Sequence, residues 1–252
     1  MSSHQNERFE KQHPMSASVS PTIATKLMRS VVRMLPARVQ RSAAKWYFFR
    51  QILTGRFRSN EMEWDNLSNW LGPGDWCIDV GANVGRYSLR MSDLVGPAGL
   101  VIAFEPLTPT FDLLTHFVEK GNYRNITLLN AAATDRSSLI RIAADLTPLN
   151  AAFIFDTNTR SSISDSGRGE SKLGLSIDAL ELPNRVALIK VDVEGHELAV
   201  CKGMTELISR DYPVLIVEDH DNKSGVSEFL AQFGYQGRRV AENARNLVFT
   251  RK

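Results

Sequence analysis

Long apolar runs are missing from this chain of 252 residues. No window approaches the roughly 18 consecutive apolar residues that a bilayer-spanning helix needs, so no transmembrane helix is expected. The first residues, MSSHQNERFEKQHPMSAS, contain no apolar core of the kind a secretory signal requires. Cysteine is scarce: Cys77 and Cys201 are the only two, too few for a disulfide framework. Both sit in apolar patterns, which predicts buried free thiols and a reducing cytoplasm. Acid is absent from one stretch. Between Thr22 and Arg58 stand nine basic residues and no Asp or Glu. Residues 1–21 hold two of each sign, so of the 30 basic and 28 acidic residues in the chain 19 and 26 remain for the rest. The net charge of +2 therefore hides a basic arm on a body carrying −7.

What is present comes in blocks. With 43% hydrophobic and 23% charged residues, the composition is that of a soluble globular protein with one good-sized core. Residues 1–21 are polar and Ser-rich and read as a disordered tail. From 22 to 53 apolar residues recur at helical spacing: Ile23, Leu27, Val31 and Met34, then Trp46, Phe49 and Ile52. Pro36 is expected to split them into two helices. The stretch EMEWDNLSNWL, residues 61–71, predicts one more short helix. Residues 22–71 thus read as a basic helical N-terminal extension.

From 72 to 252 the pattern changes. Short apolar runs recur at 75–80, 100–105, 125–130, 186–193 and 213–219, with helical periodicity over 85–94, 108–120 and 196–210. Continuous rather than alternating apolar runs predict strands covered on both faces. Their alternation with helices predicts right-handed crossovers and a mostly parallel sheet. YQGRRV and NLVFTRK read as two final strands. Residues 136–180 break the rhythm and read as an insertion: a hairpin plus a mobile loop, its part from about Thr147 to Lys172 expected to cover the acceptor.

The stretch CIDVGANVGRYS, Cys77–Ser88, is a strand that ends in a glycine loop and opens a helix. In a parallel sheet such a loop is a ligand floor. The dinucleotide fingerprint G-x-G-x-x-G is not met, because Gly81 and Gly85 are four apart. Asp79 would repel a pyrophosphate but suits a cation. The ammonium of S-adenosylmethionine (SAM) is such a cation. Gly81 and Gly85 are expected to let the backbone approach the ligand, and Asn83 to offer its amide. Glu105, at the end of the second strand and followed by Pro106, is placed to accept both ribose hydroxyls. NAD enzymes use an acid there too, so Glu105 indicates an adenosine rather than a particular cofactor.

A second stretch, ALIKVDVEGHE (187–197), carries Lys190, Asp192 and Glu194 at alternate positions. In an extended strand the three would share one face. Charges in an apolar strand end are costly unless paired or functional.

The segments IDVGANVG, AFEP, LSIDAL and IKVDVEGHELAVCKG come in the order seen in the FkbM family of SAM-dependent methyltransferases, which the chain resembles over about residues 70–221. The fourth segment, K-x-D-x-E-G-x-E, is the specific one. The resemblance implies a Rossmann-like class I α/β fold: a mostly parallel seven-stranded sheet with helices on both faces, here with an N-terminal helical extension. It implies methyl transfer from SAM to a hydroxyl, of a polysaccharide sugar or of a natural product such as a macrolide. It also implies a donor site at Asp79, Gly81, Asn83, Gly85, Glu105, Pro106 and Asp192, with Ala132 on the adenine side. Lys190, Asp192, Glu194, Gly195 and Glu197 match the fourth motif.

An aliphatic hydroxyl needs a base as the new bond forms. Asp192, Glu194 and His220 are the candidates, with Lys190 beside them; His220 has an ordinary pKa near neutrality. A rival arrangement would place Mg²⁺ on Asp192, Glu218 and Asp219 to orient and acidify the acceptor. A SAM-binding module without catalysis and an NAD oxidoreductase are the other readings. Intact Lys190, Asp192 and Glu194 speak against the first, Asp79 and the missing glycine pair against the second. Nucleic acid is not an expected partner, since the acidic body offers no groove for a phosphate chain. The basic arm reads either as a helix packed on the domain or as a peripheral contact with an anionic membrane.

Overall fold

A computed structural model describes residues 36–144, 161–163, 169–219, 224–242 and 244–251. The tail at 1–21, the first expected helix of the arm, most of the segment 147–172 and His220 lie outside the described residues.

Apolar runs become strands as expected. β1 (Trp76–Val80), β2 (Leu100–Phe104), β3 (Ile126–Leu129), β8 (Val186–Val191) and β9 (Val214–Glu218) run parallel. β10 (Tyr235–Arg239) and β11 (Asn246–Arg251) close the edge antiparallel, in the order β10-β11-β9-β8-β1-β2-β3. The order reverses between β1 and β8, and that is where a doubly wound sheet opens a crevice for a ligand. A second sheet, β4-β7-β5-β6, comes from β4 (Ala132–Ala133), β5 (Ser138–Ala144), β6 (Ser161–Ile163) and β7 (Glu170–Leu175). This is the expected hairpin region, extended by β4, which was too short to show as a pattern.

Helix α3 (Arg86–Val95) follows the glycine loop, and α4 (Thr108–Lys120) starts with Pro109 in its first turn, where the missing N–H costs nothing. The single helix expected over 196–210 is two: α5 (Glu197–Lys202) and α6 (Thr205–Asp211). The motif LSIDAL explains the break. Ser176 Oγ and Asp178 N donate to the Gly203 carbonyl at 2.8 and 3.0 Å. Asp178 then accepts from Glu206 N and Leu207 N at 3.0 and 2.9 Å, capping a new helix start. α7 (Val226–Ala231) completes the second layer.

The described part of the extension is α1 (Ala37–Leu53) and α2 (Met62–Asn66), the latter followed by a single tight turn over 67–69. α1 begins directly after Pro36, as expected of a helix-starting proline. Its Ala44 and Phe48 are buried, and Phe48, Phe57 and Phe117 of α4 meet edge to face, with centroids 5.8 to 6.1 Å apart. Burying each such ring contributes about 1.5–3 kcal/mol. The extension is thus part of the core. Cys77 and Cys201 are free and buried, as expected, and burial pushes the Cys201 thiol up to about 12.

Candidate active site

The loop after β1 is tied to β2. Gly81 N and Ala82 N both donate to the Phe104 carbonyl, at 3.0 and 2.9 Å. Gly81 has φ +78°, and a Cβ on it would lie 1.9 Å from the Asp192 carbonyl oxygen. Gly85 has φ +92°, and a Cβ there would meet Leu114 at 2.5 Å. Both glycines were expected to admit a ligand. On the side where a Cβ would stand, both face the protein itself: one lets the chain after β8 close against the loop, the other seats α3 on α4.

Glu105 is buried and holds this corner together. Its Oε2 accepts from Asn83 N at 2.8 Å, and its Oε1 from Leu107 N and Thr110 Oγ1 at 2.9 and 2.7 Å. Burial raises its pKa against those three hydrogen bonds. A carboxylate oxygen offers about two acceptor positions. Oε1 is therefore filled and Oε2 has one place left, so acceptance of both ribose hydroxyls needs one of the present donors to move. Pro106 is half-buried beside it. Ala132 packs with Leu107 and Ile142 in a small apolar cluster next to this loop.

Asp79 is 1% exposed. Ser88 Oγ donates to its Oδ2 at 2.5 Å, while the buried Oδ1 meets no hydrogen-bond donor among the described residues. Burial raises its pKa, opposed by Lys190 and Ser88. A buried carboxylate oxygen without a donor fits a cationic ligand group.

Asp79 stands beside Lys190 in the β1–β8 register. Lys190 Nζ lies 2.8 Å from Asp192 Oδ2 and 4.6 Å from the centre of the Tyr87 ring. Burial opposes its charge, but Asp192, Asp79 and Glu61 together raise its pKa. Asp192 is correspondingly lowered, against burial, by Lys190 and by a hydrogen bond from Glu218. Burial and the Asp192 carboxylate push Glu218 up to about 9. Near neutrality Glu218 is the protonated donor of a carboxyl pair, and Asp192 the anion.

β8 ends at Val191, so the pleat does not reach Glu194. Glu194 sits in a left-handed turn at φ +54°, followed by Gly195, whose N–H donates to the buried Glu197 at 2.9 Å. The turn, rather than strand alternation, returns the Glu194 carboxylate to within 4.8 Å of Asp192 and Glu218. These three are the candidate cation ligands among the described residues. Asp219, expected among them, instead accepts from Ser224 Oγ at 2.8 Å. His196 Nε2 lies 3.0 Å from Thr134 Oγ1. A cleft of about 390 Å³, lined by His196, Lys202 and Ser224 among others, opens against the same turn.

The sequence reading missed a second tier supplied by the extension. Tyr87 Oη donates to Glu61 Oε2 at 2.6 Å, behind Lys190. Glu63, 1% exposed, accepts from Asn246, which is the β11 neighbour of Glu218. Burial raises the Glu63 pKa. Only a buried acid in a short amphipathic segment could have signalled it, and burial is not visible in a sequence.

The reversed parallel sheet, with the glycine loop and acidic strand ends at its crevice, defines a Rossmann-like α/β fold. The Methyltransferase FkbM domain family matches residues 79–239, and the chain belongs to that family. It is 31% identical over 142 residues to the hexuronic acid methyltransferase AglP of Haloferax volcanii, a match covering 56% of this chain and 54% of the relative. The chain therefore spans about half the length of that curated relative. The crystal structure of methyltransferase FkbM from Methylobacillus flagellatus is similar at TM-score 0.49 and 16% identity, over 90% of this chain and 58% of that one. A SAM-dependent methyltransferase from Aquifex aeolicus is similar at TM-score 0.44 and 18% identity, over 75% and 89%.

Proposed function

We propose that the chain transfers a methyl group from SAM to a hydroxyl of a sugar or glycan precursor. The observation that carries this reading is the pairing of two sites across one strand boundary: the buried, donor-free Oδ1 of Asp79 on β1 and the Asp192–Glu218 carboxyl pair beside it. In this reading Asp79 takes the ammonium of SAM, Glu105 one ribose hydroxyl, and Ala132 lies on the adenine side. SAM supplies an electrophilic methyl group. The chain must then hold the acceptor oxygen in line with it and remove a proton.

Asp192 is a weak base because Lys190 stabilises its anion. Glu218, once deprotonated, is the stronger one. With its own proton lost, Glu218 can take the acceptor proton, and Lys190 offsets the charge of the ionised pair before that transfer. Glu194, exposed at the mouth, is placed to orient the acceptor. The cleft at His196 and Lys202 offers room for a sugar. The sugar reading also draws on the relative, whose name specifies a hexuronic acid. Mg²⁺ on Asp192, Glu194 and Glu218 would compete with the Lys190 ammonium for Asp192, so the base reading is preferred. Dialysis against EDTA should leave turnover intact.

The test is incubation with methyl-labelled SAM and a panel of neutral and uronic acid glycans. Label that survives mild alkali is an ether and supports hydroxyl transfer. Label released by alkali is an ester and moves the reaction to a carboxylate. No label on any sugar, with transfer to a non-sugar hydroxyl, overturns the acceptor class.

A further inference from the structure

Helix α1 carries apolar side chains on two opposite faces. Ala44 and Phe48 are buried against the domain. Val39, Trp46 and Leu53 point away from it and remain 46%, 66% and 72% exposed. They are seven residues apart, so they fall on one line along the helix, drifting only about 20° per step. Three large apolar groups in a row on a solvent face are unusual for a monomer.

The charge around that line is of one sign. Arg38, Lys45 and Arg50 stand to either side of it on α1, which contains no acidic residue, while Arg41 lies towards the Phe48 side. The Arg50 guanidinium lies 5.6 Å from the centre of the Trp46 ring, leaving its charge at the same surface. Arg56 follows, exposed. A second copy of this helix would bring two basic faces together. The chain segment 22–35 brings Lys26, Arg29 and Arg33 and no acid, and meets the same repulsion. An anionic lipid surface answers both features at once. Trp is suited to the headgroup level, Val and Leu to the layer beneath it, and the basic side chains to lipid phosphates. A 17-residue helix, about 25 Å long, is long enough to lie flat and present the whole line.

We propose that α1 rests on an anionic phospholipid surface through Val39, Trp46 and Leu53, with its Phe48 face holding the methyltransferase domain above the bilayer. This site is independent of the chemistry at Asp192, and its test uses no acceptor.

The full chain is sedimented with vesicles of phosphatidylcholine alone, or mixed with phosphatidylglycerol, at low and at physiological salt. Sedimentation is expected only with the anionic vesicles, weakening at least about tenfold as salt rises. Tryptophan emission should shift to the blue on binding, and Trp46→Ala should abolish that shift. The double variant Trp46→Ala/Leu53→Ala should bind about tenfold or more weakly with an unchanged melting temperature, since both side chains are exposed. Arg38→Glu/Arg50→Glu should lose binding without changing the melt. Absence of sedimentation at low salt overturns the proposal, as does undiminished binding of the double variant. A dimer that dissociates in that variant overturns it in favour of a second copy.

Discussion

The ammonium of Lys190 and the carboxylate of Asp192 face each other at 2.8 Å, two residues apart at the end of β8. Lys190 is 4% exposed at its side chain and Asp192 30%, so the cation is sealed in and the anion looks out. This asymmetry suits a group that acts on an acceptor while its partner stays fixed. Asp192→Asn should lower kcat by about 10²-fold or more and change SAM affinity little, since proton removal is felt chiefly in the transition state. Steady-state kinetics beside calorimetry decide it. Equal turnover would make the pair structural.

Donor binding should depend on Asp79 and Glu105 in different ways. Asp79→Asn removes a charge and should weaken SAM by about ten- to a hundredfold with a modest change in melting. Glu105→Ala strands Asn83 N, Leu107 N and Thr110 Oγ1 and should also lower the stability of the free protein, by at least about 2 kcal/mol. Glu105→Gln should recover part of that stability. Unchanged SAM affinity in both Asp79→Asn and Glu105→Ala would remove the donor from this end of β1 and β2.

Gly81→Ala and Gly96→Ala both force an alanine to positive φ, +78° and +63°. At Gly96 there is open space, so only backbone strain applies, about 1–3 kcal/mol for φ +63°, ψ −173°, a region essentially reserved for glycine. At Gly81 the Cβ would overlap the Asp192 carbonyl, and a further loss of about 1–3 kcal/mol is expected. Denaturant unfolding of the two variants separates the terms. Equal losses would show that β8 can move away from the loop.

Stability should fall as pH rises from the ordinary carboxyl range towards 9. Glu218, at about 9 in the folded protein against an ordinary 4.5, keeps a proton that the unfolded chain releases. Where the folded state binds more protons, stability decreases with pH, so this contribution is full below the ordinary value and lost as pH passes the folded one. Glu218→Gln keeps a neutral side chain and should melt with a shallower dependence between pH 5 and 9. If Glu218 is the base, wild-type turnover should rise over the same interval while the variant's stays low and flat. Parallel melting curves for the two proteins would refute the raised Glu218.

The elements of the sheet and both ends of the candidate site could be read from the sequence, because strand runs, helical spacing and the glycine loop are local. Asp79, Gly81 and Glu105 declare themselves by position relative to strand ends. Local reading erred where local rules stop. The 196–210 helix breaks because Ser176 and Asp178, far back in the chain, take the Gly203 carbonyl and cap a new turn. Glu194 leaves the strand for a left-handed turn, which hydrophobic pattern does not encode.

By itself the sequence determined an α/β chain with a glycine loop, an acid at the end of β2, a charged end to β8, and a basic arm free of acid. Only the tertiary structure decided that Glu61 and Glu63, just beyond that arm in the extension, stand behind Lys190 and Glu218, and that Glu105 serves the protein's own backbone before any ribose. Glu63 and Asn246 are 183 positions apart. Their contact depends on which strands become neighbours and on how deeply α2 is buried. Periodicity fixes which face of an element is apolar, but not which other element covers it.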